Sequence, residues 1–249
     1  MSLLTTVTSG YDSTAASVLA AEAGCERAAT IRAGRSVVPR SDSGARIAEH
    51  LGLECEEYPL AGRENPRELA FWAATGTVAD ANLAVFEYGE PPCLFFSGVH
   101  GGNIWSRNIN DFHAGNLNAL GMSEFRLREG VIHFPVPFCG VRRNWEVYEI
   151  SNSSAMSRWS VEGGYDRPVP RRIAEEAGVP RESFGMTKTA TMYEESFLWP
   201  RDSELQRSYT RYLKDRGIDA PPVRIGRLLD KLEQQFFFPL RTRLFSSAS

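Results

Sequence analysis

The chain has 249 residues, of which 42% are hydrophobic and 24% charged, with a formal net charge of −3 and a pI of about 5.9. This is the composition of a globular protein and argues against a mostly disordered or fibrous chain. No apolar run approaches the roughly 18 to 20 residues of a membrane helix, and the slightly acidic balance provides no global basic field to draw in nucleic acid.

The opening residues, Met1–Thr6, carry neither a basic region nor a long apolar core, so a cytoplasmic location without a secretory signal is expected. Leu3–Val7 is an apolar, β-branched run that enters Thr8-Ser9-Gly10, a strand leading into a tight turn. Ser13–Ala23 reads as a helix stopped by Gly24, Ala28–Ile31 as a second strand, Asp42–Leu51 as a helix closed by Gly52, and Leu53–Leu60 as a third strand. Arg67–Phe86 has patchy helical character. Cys93–Phe96 is fully apolar, as buried parallel strands are, and runs into Ser97-Gly98-Val99-His100-Gly101-Gly102-Asn103. Val131–Phe138 is extended and broken by prolines, and Trp145–Ile150 reads as a further short strand. Pro170–Ala177, Ser203–Arg216 and Arg224–Phe238 read as helices.

Strands alternating with helices imply right-handed βαβ units, hence an α/β fold with a doubly wound parallel sheet, here followed by a C-terminal helical region that closes over the crevice. Ligands of such sheets bind at the C-terminal ends of the strands. The turns at Thr8–Ser13 and Ser97–Asn103 should therefore face one crevice.

The four cysteines, Cys25, Cys55, Cys93 and Cys139, lie far apart without a CxxC pair, which argues for buried reduced thiols over a metal site or a disulfide framework. At the first turn, Gly10 permits close backbone approach to an anion, and Ser9, Ser13 and Thr14 add hydroxyl donors at a helix N-terminus, together a phosphate cradle. Asp12 and Ser13 are equally read as simple helix caps. The chain holds only three lysines, Lys188, Lys214 and Lys231, and Lys188 stands out among them. His100, within a glycine turn, is the best acid–base candidate, ahead of His113 and then His133. The pairs Arg142-Arg143 and Arg171-Arg172 suit a carboxylate or phosphate, but such pairs are more often a solvated face.

Thr8-Ser9-Gly10-Tyr11-Asp12-Ser13 resembles the SGGxDS loop of the PP-loop ATP pyrophosphatases, with Thr8 in place of the first serine and Ser9 in place of the first glycine. Asp42–Gly52 resembles the second-helix signature of the asparagine synthetase branch, and Phe96–Asn103 resembles its SGxGGDE turn, with Asn103 where the acid would stand. Tyr165–Pro180, continuing to Lys188, resembles the D-K-x-x-L-R…K stretch of that branch. Gly121–Arg128 is also similar to PP-loop proteins whose membership specifies the fold and ATP chemistry without a substrate.

The resemblance implies a PP-loop domain over 1–195 with a helical extension over 196–249. It implies an enzyme that uses Mg-ATP, releases AMP and pyrophosphate, and activates an oxygen of a small-molecule substrate for C–N bond formation. Thr8, Ser9, Gly10, Asp12, Ser13 and Thr14 would hold the phosphates, with Ile31, Arg32, Ser97 and Gly98 around the rest of the nucleotide. Asp12 and Asn103 would face the magnesium, and Asp12 and Lys188 would be catalytic. Ser2, where the glutamine-hydrolysing asparagine synthetases carry a nucleophilic cysteine, implies free ammonia, a partner glutaminase, a substrate amine, or no amine at all. Phe236-Phe237-Phe238 implies added core or a homodimer contact. The departures at Thr8, Ser9 and Asn103 keep a second reading alongside, a nucleotide-binding sensor or partner subunit without turnover.

Overall fold

A computed structural model of the chain describes residues 1–32, 43–59, 85–111, 124–161, 165–184 and 203–219, with positions 222, 225, 226 and 228. The expectations for Arg67–Phe86 and Arg224–Phe238 lie largely outside these residues. Those for His113, Lys188 and Phe236–Phe238 lie wholly outside them.

Among the described residues, five strands form one all-parallel sheet: β1 (Ser2–Thr6), β2 (Arg27–Arg32), β3 (Glu54–Pro59), β4 (Cys93–Ser97) and β5 (Val131–Pro135). Their spatial order is β3-β2-β1-β4-β5. The protein is therefore of the α/β class. Register sets the two faces: Leu4 lies opposite Phe95, and Phe95 opposite His133, so alternate residues of neighbouring strands share a side.

One face carries Leu4, Ala29, Ile31, Tyr58, Cys93, Phe95 and Val131, packed under Val85, Phe86, Tyr88 and Phe125. Its rings meet mostly edge-on, as Tyr88 does with Phe95 at 5.5 Å and Tyr58 with Phe86 at 5.6 Å, the arrangement aromatic quadrupoles favour. The other face carries Leu3, Leu94 and Phe96 against Ala16, Leu19 and Ala20 of α1 (Tyr11–Glu22). Beside them, Ala28 packs with Ile47 and Ala48 of α2 (Ala45–His50).

Helix α1 buries Tyr11, Thr14, Ala15 and Val18, an i, i+3, i+4, i+7 stripe, and small alanines let it lie close on the sheet. It ends at Gly24, whose φ of +90° is the left-handed conformation glycine adopts without strain. Short helices follow at α3 (Gly101–Ile104) and α4 (Glu124–Glu129), and longer ones at α5 (Asn144–Asn152), α6 (Pro168–Glu176) and α7 (Ser203–Asp215).

Three expectations are corrected. Trp145–Ile150 is helical, within α5. Its buried Ser151 lies four residues from the inward-packed Val147, while Trp145 and Ile150 are 57% and 51% exposed, a pattern a two-residue strand period could not produce. The extended run from Val131 stops at Pro135 and continues as 3₁₀ turns over Val136–Arg143, because prolines at 135 and 137 provide no N–H for a ladder. Of the four cysteines, all free, Cys25 and Cys93 are buried, but Cys55 is only half-buried and Cys139 is exposed.

Candidate functional site

The chain leaves β1 toward β2 on one side and reaches β4 on the other, so the turns after β1 and β4 lie next to each other at the C-terminal edge of the sheet. They pack without intervening side chains. A Cβ placed on Gly98 would stand 2.5 Å from the Asp12 carbonyl carbon and oxygen, and one on Gly101 would stand 2.5 Å from the Asp12 carboxyl carbon. The two turns thus adjoin, as expected, and Asp12 lies where they meet.

The first turn is closed by its own hydroxyls. The Thr8 N–H donates to Ser13 Oγ at 3.1 Å, the Thr8 and Ser13 hydroxyls lie 2.8 Å apart, and the Gly10 N–H donates to Thr8 Oγ1 at 3.1 Å. Ser13 and Thr14 each donate a hydroxyl proton to the Gly10 carbonyl at 2.9 Å. Ser9 is half-buried at the tip. Gly10 caps α1 with extended backbone, and Asp12 is the acidic residue of the first turn, where the helix dipole favours it.

The second turn runs Ser97, Gly98, Val99, His100, Gly101. His100 adopts φ +67°, and its ring stacks on Phe138 at 4.9 Å and 6°. Ser97, 3% exposed, places Oγ 2.6 Å from His133 Nε2 and accepts the Val99 N–H at 3.4 Å. His133 therefore stands on β5 as the partner of a nucleotide-site candidate, an arrangement invisible at a separation of 36 residues. Asn103 donates its side-chain amide to the Asp111 carbonyl at 2.6 Å.

Against Asp12 also stands α6 with the segment before it. Arg167 Nη1 donates to Asp12 Oδ2 at 2.8 Å. The same guanidinium lies over the Tyr165 ring at 5.2 Å and the Tyr11 ring at 5.7 Å, and Tyr11 donates its hydroxyl to the Tyr165 carbonyl at 3.2 Å. One helical turn on, Arg171 is 0% exposed, with its guanidinium 4.8 Å from the Tyr11 ring centre and 5.6 Å from that of Phe184. The expectation of a solvated Arg171-Arg172 face is corrected for Arg171. Arg172 is exposed and pairs with Glu176 at 3.0 Å. Arg142 and Arg143 are exposed, as expected.

Electrostatics follow from this packing. Burial pushes the Tyr11 phenol far above its ordinary value against the pull of Arg167, and burial then Asp12 raise Tyr165, so both rings stay neutral at physiological pH. Burial lowers Arg171 from the ordinary arginine value. At the rim, Asp166 pairs with Arg107 at 2.7 Å and accepts from Ser160 and the Val161 N–H. Burial alone would raise Asp166, but these donors outweigh it and hold the carboxyl below its usual range.

Ile31 belongs to the core beside Tyr58, while the Arg32 side chain is 67% exposed and 3.9 Å from Glu57. Both sit at the end of β2, one strand away from Asp12. The structure thus brings Thr8, Ser9, Gly10, Asp12, Ser13, Thr14, Ser97, Gly98 and Asn103 to the two adjoining turns. Arg167 and the Ser97–His133 pair are site features that no sequence pattern singles out, and Arg171, one of a pair suited to a carboxylate or phosphate, is buried beside them. Arg171 had a legible signal, since it falls on the same helical stripe as Pro170 and Ala174, the buried side of α6. Among the described residues, no three His, Cys, Asp or Glu side chains cluster as a metal site, and no helix is long and apolar enough to cross a membrane. No protein-family model matches the chain, and no curated protein matches it.

Proposed function

We propose that the chain is an Mg-ATP-dependent adenylating enzyme of the PP-loop type on a doubly wound α/β domain, acting on an oxygen of a small-molecule substrate. The observation that carries this reading is the meeting of the β1 and β4 turns at Asp12. In parallel sheets the crevice where the strand order reverses is the ligand site, and here it adjoins the opening of a 12-residue helix behind a glycine.

The donor set fits magnesium carried by a nucleotide. Mg²⁺ keeps several waters and takes one or two carboxylates together with substrate phosphates, so Asp12, with the amide of Asn103 on the adjoining turn, is an adequate protein contribution. Bound magnesium would offset charge on the phosphates. Ser9, Gly10, Ser13 and Thr14 would hold pyrophosphate, while Thr8 braces the turn. Arg32 and the backbone at Ile31 would border the adenine, and Ser97 and Gly98 the rest of the nucleotide. Lys188 would stabilise charge on the α-phosphate and the leaving pyrophosphate. A nitrogen donor, ammonia or an amine, would then complete C–N bond formation.

A second reading, nucleotide binding without turnover, is favoured by the Asp12–Arg167 ion pair, which engages the carboxylate that would face the metal. Calorimetric titration with ATP and magnesium, followed by assay of the same sample for AMP and pyrophosphate, separates the two. Binding with both products supports the enzyme. Binding without products, even with a metabolite pool added, supports the second reading, and no binding contradicts both. Lys188→Ala is expected to keep ATP affinity within about threefold, as for loss of a contact made mainly in the transition state, and to abolish turnover. Full turnover would remove Lys188 from the mechanism.

A further inference from the structure

Asp12 sits between two cation positions. One is filled by Arg167, whose Nη1 lies 2.8 Å from Oδ2. The other is the place a nucleotide-borne metal would take on the proposed reading, on which this inference rests. The turn at Gly101 packs directly against the Asp12 side chain, so that one carboxylate is set between the two positions.

Arg167 is not a surface cation that happened on a carboxylate. Its side chain is only 13% exposed. Two neutral tyrosines hold the guanidinium over their faces, and a Cβ on Gly102 would stand 3.1 Å from Nη2, so the β4 turn leaves space for this group. The planar fork of arginine suits phosphate oxygens as well as it suits carboxylate. Arg171, buried one helical turn on, places a second guanidinium 4.8 Å from the Tyr11 ring centre.

We propose that Arg167 is a polyphosphate-binding residue that Asp12 holds in reserve. In the ligand-free protein it neutralises Asp12. With metal-loaded polyphosphate in the site, Asp12 would face the metal and the Arg167 guanidinium would be released to the phosphate oxygens. The site thereby avoids a lone carboxylate that would repel phosphate, and it discriminates in favour of metal-loaded polyphosphate, since without the metal the carboxylate keeps its arginine.

The two members of the pair should then act with opposite sign on metal-free binding. The probe is inorganic tripolyphosphate, titrated calorimetrically into the full chain with EDTA or with magnesium. In wild type, binding should be weak with EDTA and stronger with magnesium. Asp12→Asn should strengthen EDTA binding about tenfold and erase the gain from magnesium, because a freed charged donor is worth about one power of ten. Arg167→Gln should weaken binding about tenfold or more in magnesium, and Arg167→Lys should restore part of it. A merely structural pair would weaken binding in both variants, so loss of EDTA binding in Asp12→Asn overturns the proposal. Equal magnesium binding by wild type and Arg167→Gln also overturns it, as does absence of tripolyphosphate binding by wild type. ATP titration of the same wild-type sample judges the nucleotide reading separately. Circular dichroism melts of each variant confirm that folded protein is being compared, and Arg167→Lys, which keeps the charge, tests the assignment should Arg167→Gln unfold.

Discussion

The two turns that meet at Asp12 are built in opposite ways. The turn after β1 is held by side chains: Thr8, Ser13 and Thr14 close it with hydroxyl groups around the Gly10 backbone. The turn after β4 meets Asp12 through bare backbone, since Gly98 and Gly101 let it lie directly on that residue. A hydroxyl-braced loop tolerates the exchange of one small residue for another, because each bond is one of several. A glycine-packed loop tolerates no added atom.

The contrast can be broken most forcefully at Gly98. Gly98→Ala places a methyl group 2.5 Å from Asp12 and Ser13 backbone atoms, which cannot swing aside as a flexible side chain would. A loss of about 2 to 3 kcal/mol is expected from such overpacking, read as a lower denaturation midpoint at unchanged slope. A loss below about 0.5 kcal/mol would show that the β4 turn is not fixed by backbone contact.

Thr8→Ala probes the other construction. It removes the acceptor for the Gly10 N–H and one of two donors to Ser13, and a cost of about 1 kcal/mol is expected, a typical hydrogen-bond contribution. A loss as large as that of Gly98→Ala would erase the distinction between the turns.

His100→Gly should have the smallest effect. Relief of a left-handed non-glycine residue is worth about 1 to 2 kcal/mol, and loss of the ring stack on Phe138 costs about 0.5 to 1.5 kcal/mol. The two nearly cancel, so the melting temperature should move by only a few degrees. A large destabilisation would show that the His100 ring, and not the turn's backbone, holds the second loop.

What could be read beforehand was local. Apolar runs such as Leu3–Val7 and Cys93–Phe96 marked strands, Gly24 and Gly52 marked helix ends, and alternation of strand and helix implied that the two turns would converge. Trp145–Ile150 misled because its aromatic and β-branched content suits a strand, whereas the side chains it buries follow a helical period. The partners at the site were not legible for a different reason. Asp12 and Arg167 are 155 residues apart in sequence, and Ser97 and His133 are 36 apart. No periodicity links them, and only the order of strands in the sheet and the placement of α6 bring them together. Arg171 shows the limit of composition arguments, since a paired arginine reads as solvated face until its helical stripe is followed.

On the proposed reading the two turns form one nucleotide site around Asp12. Hydrogen–deuterium exchange with and without Mg-ATP tests it most directly. Protection that rises together in peptides covering 8–14 and 97–103, and in the peptide containing Arg167, is the predicted result. Unchanged exchange in both turns at saturating Mg-ATP, or protection confined to other segments, would contradict it.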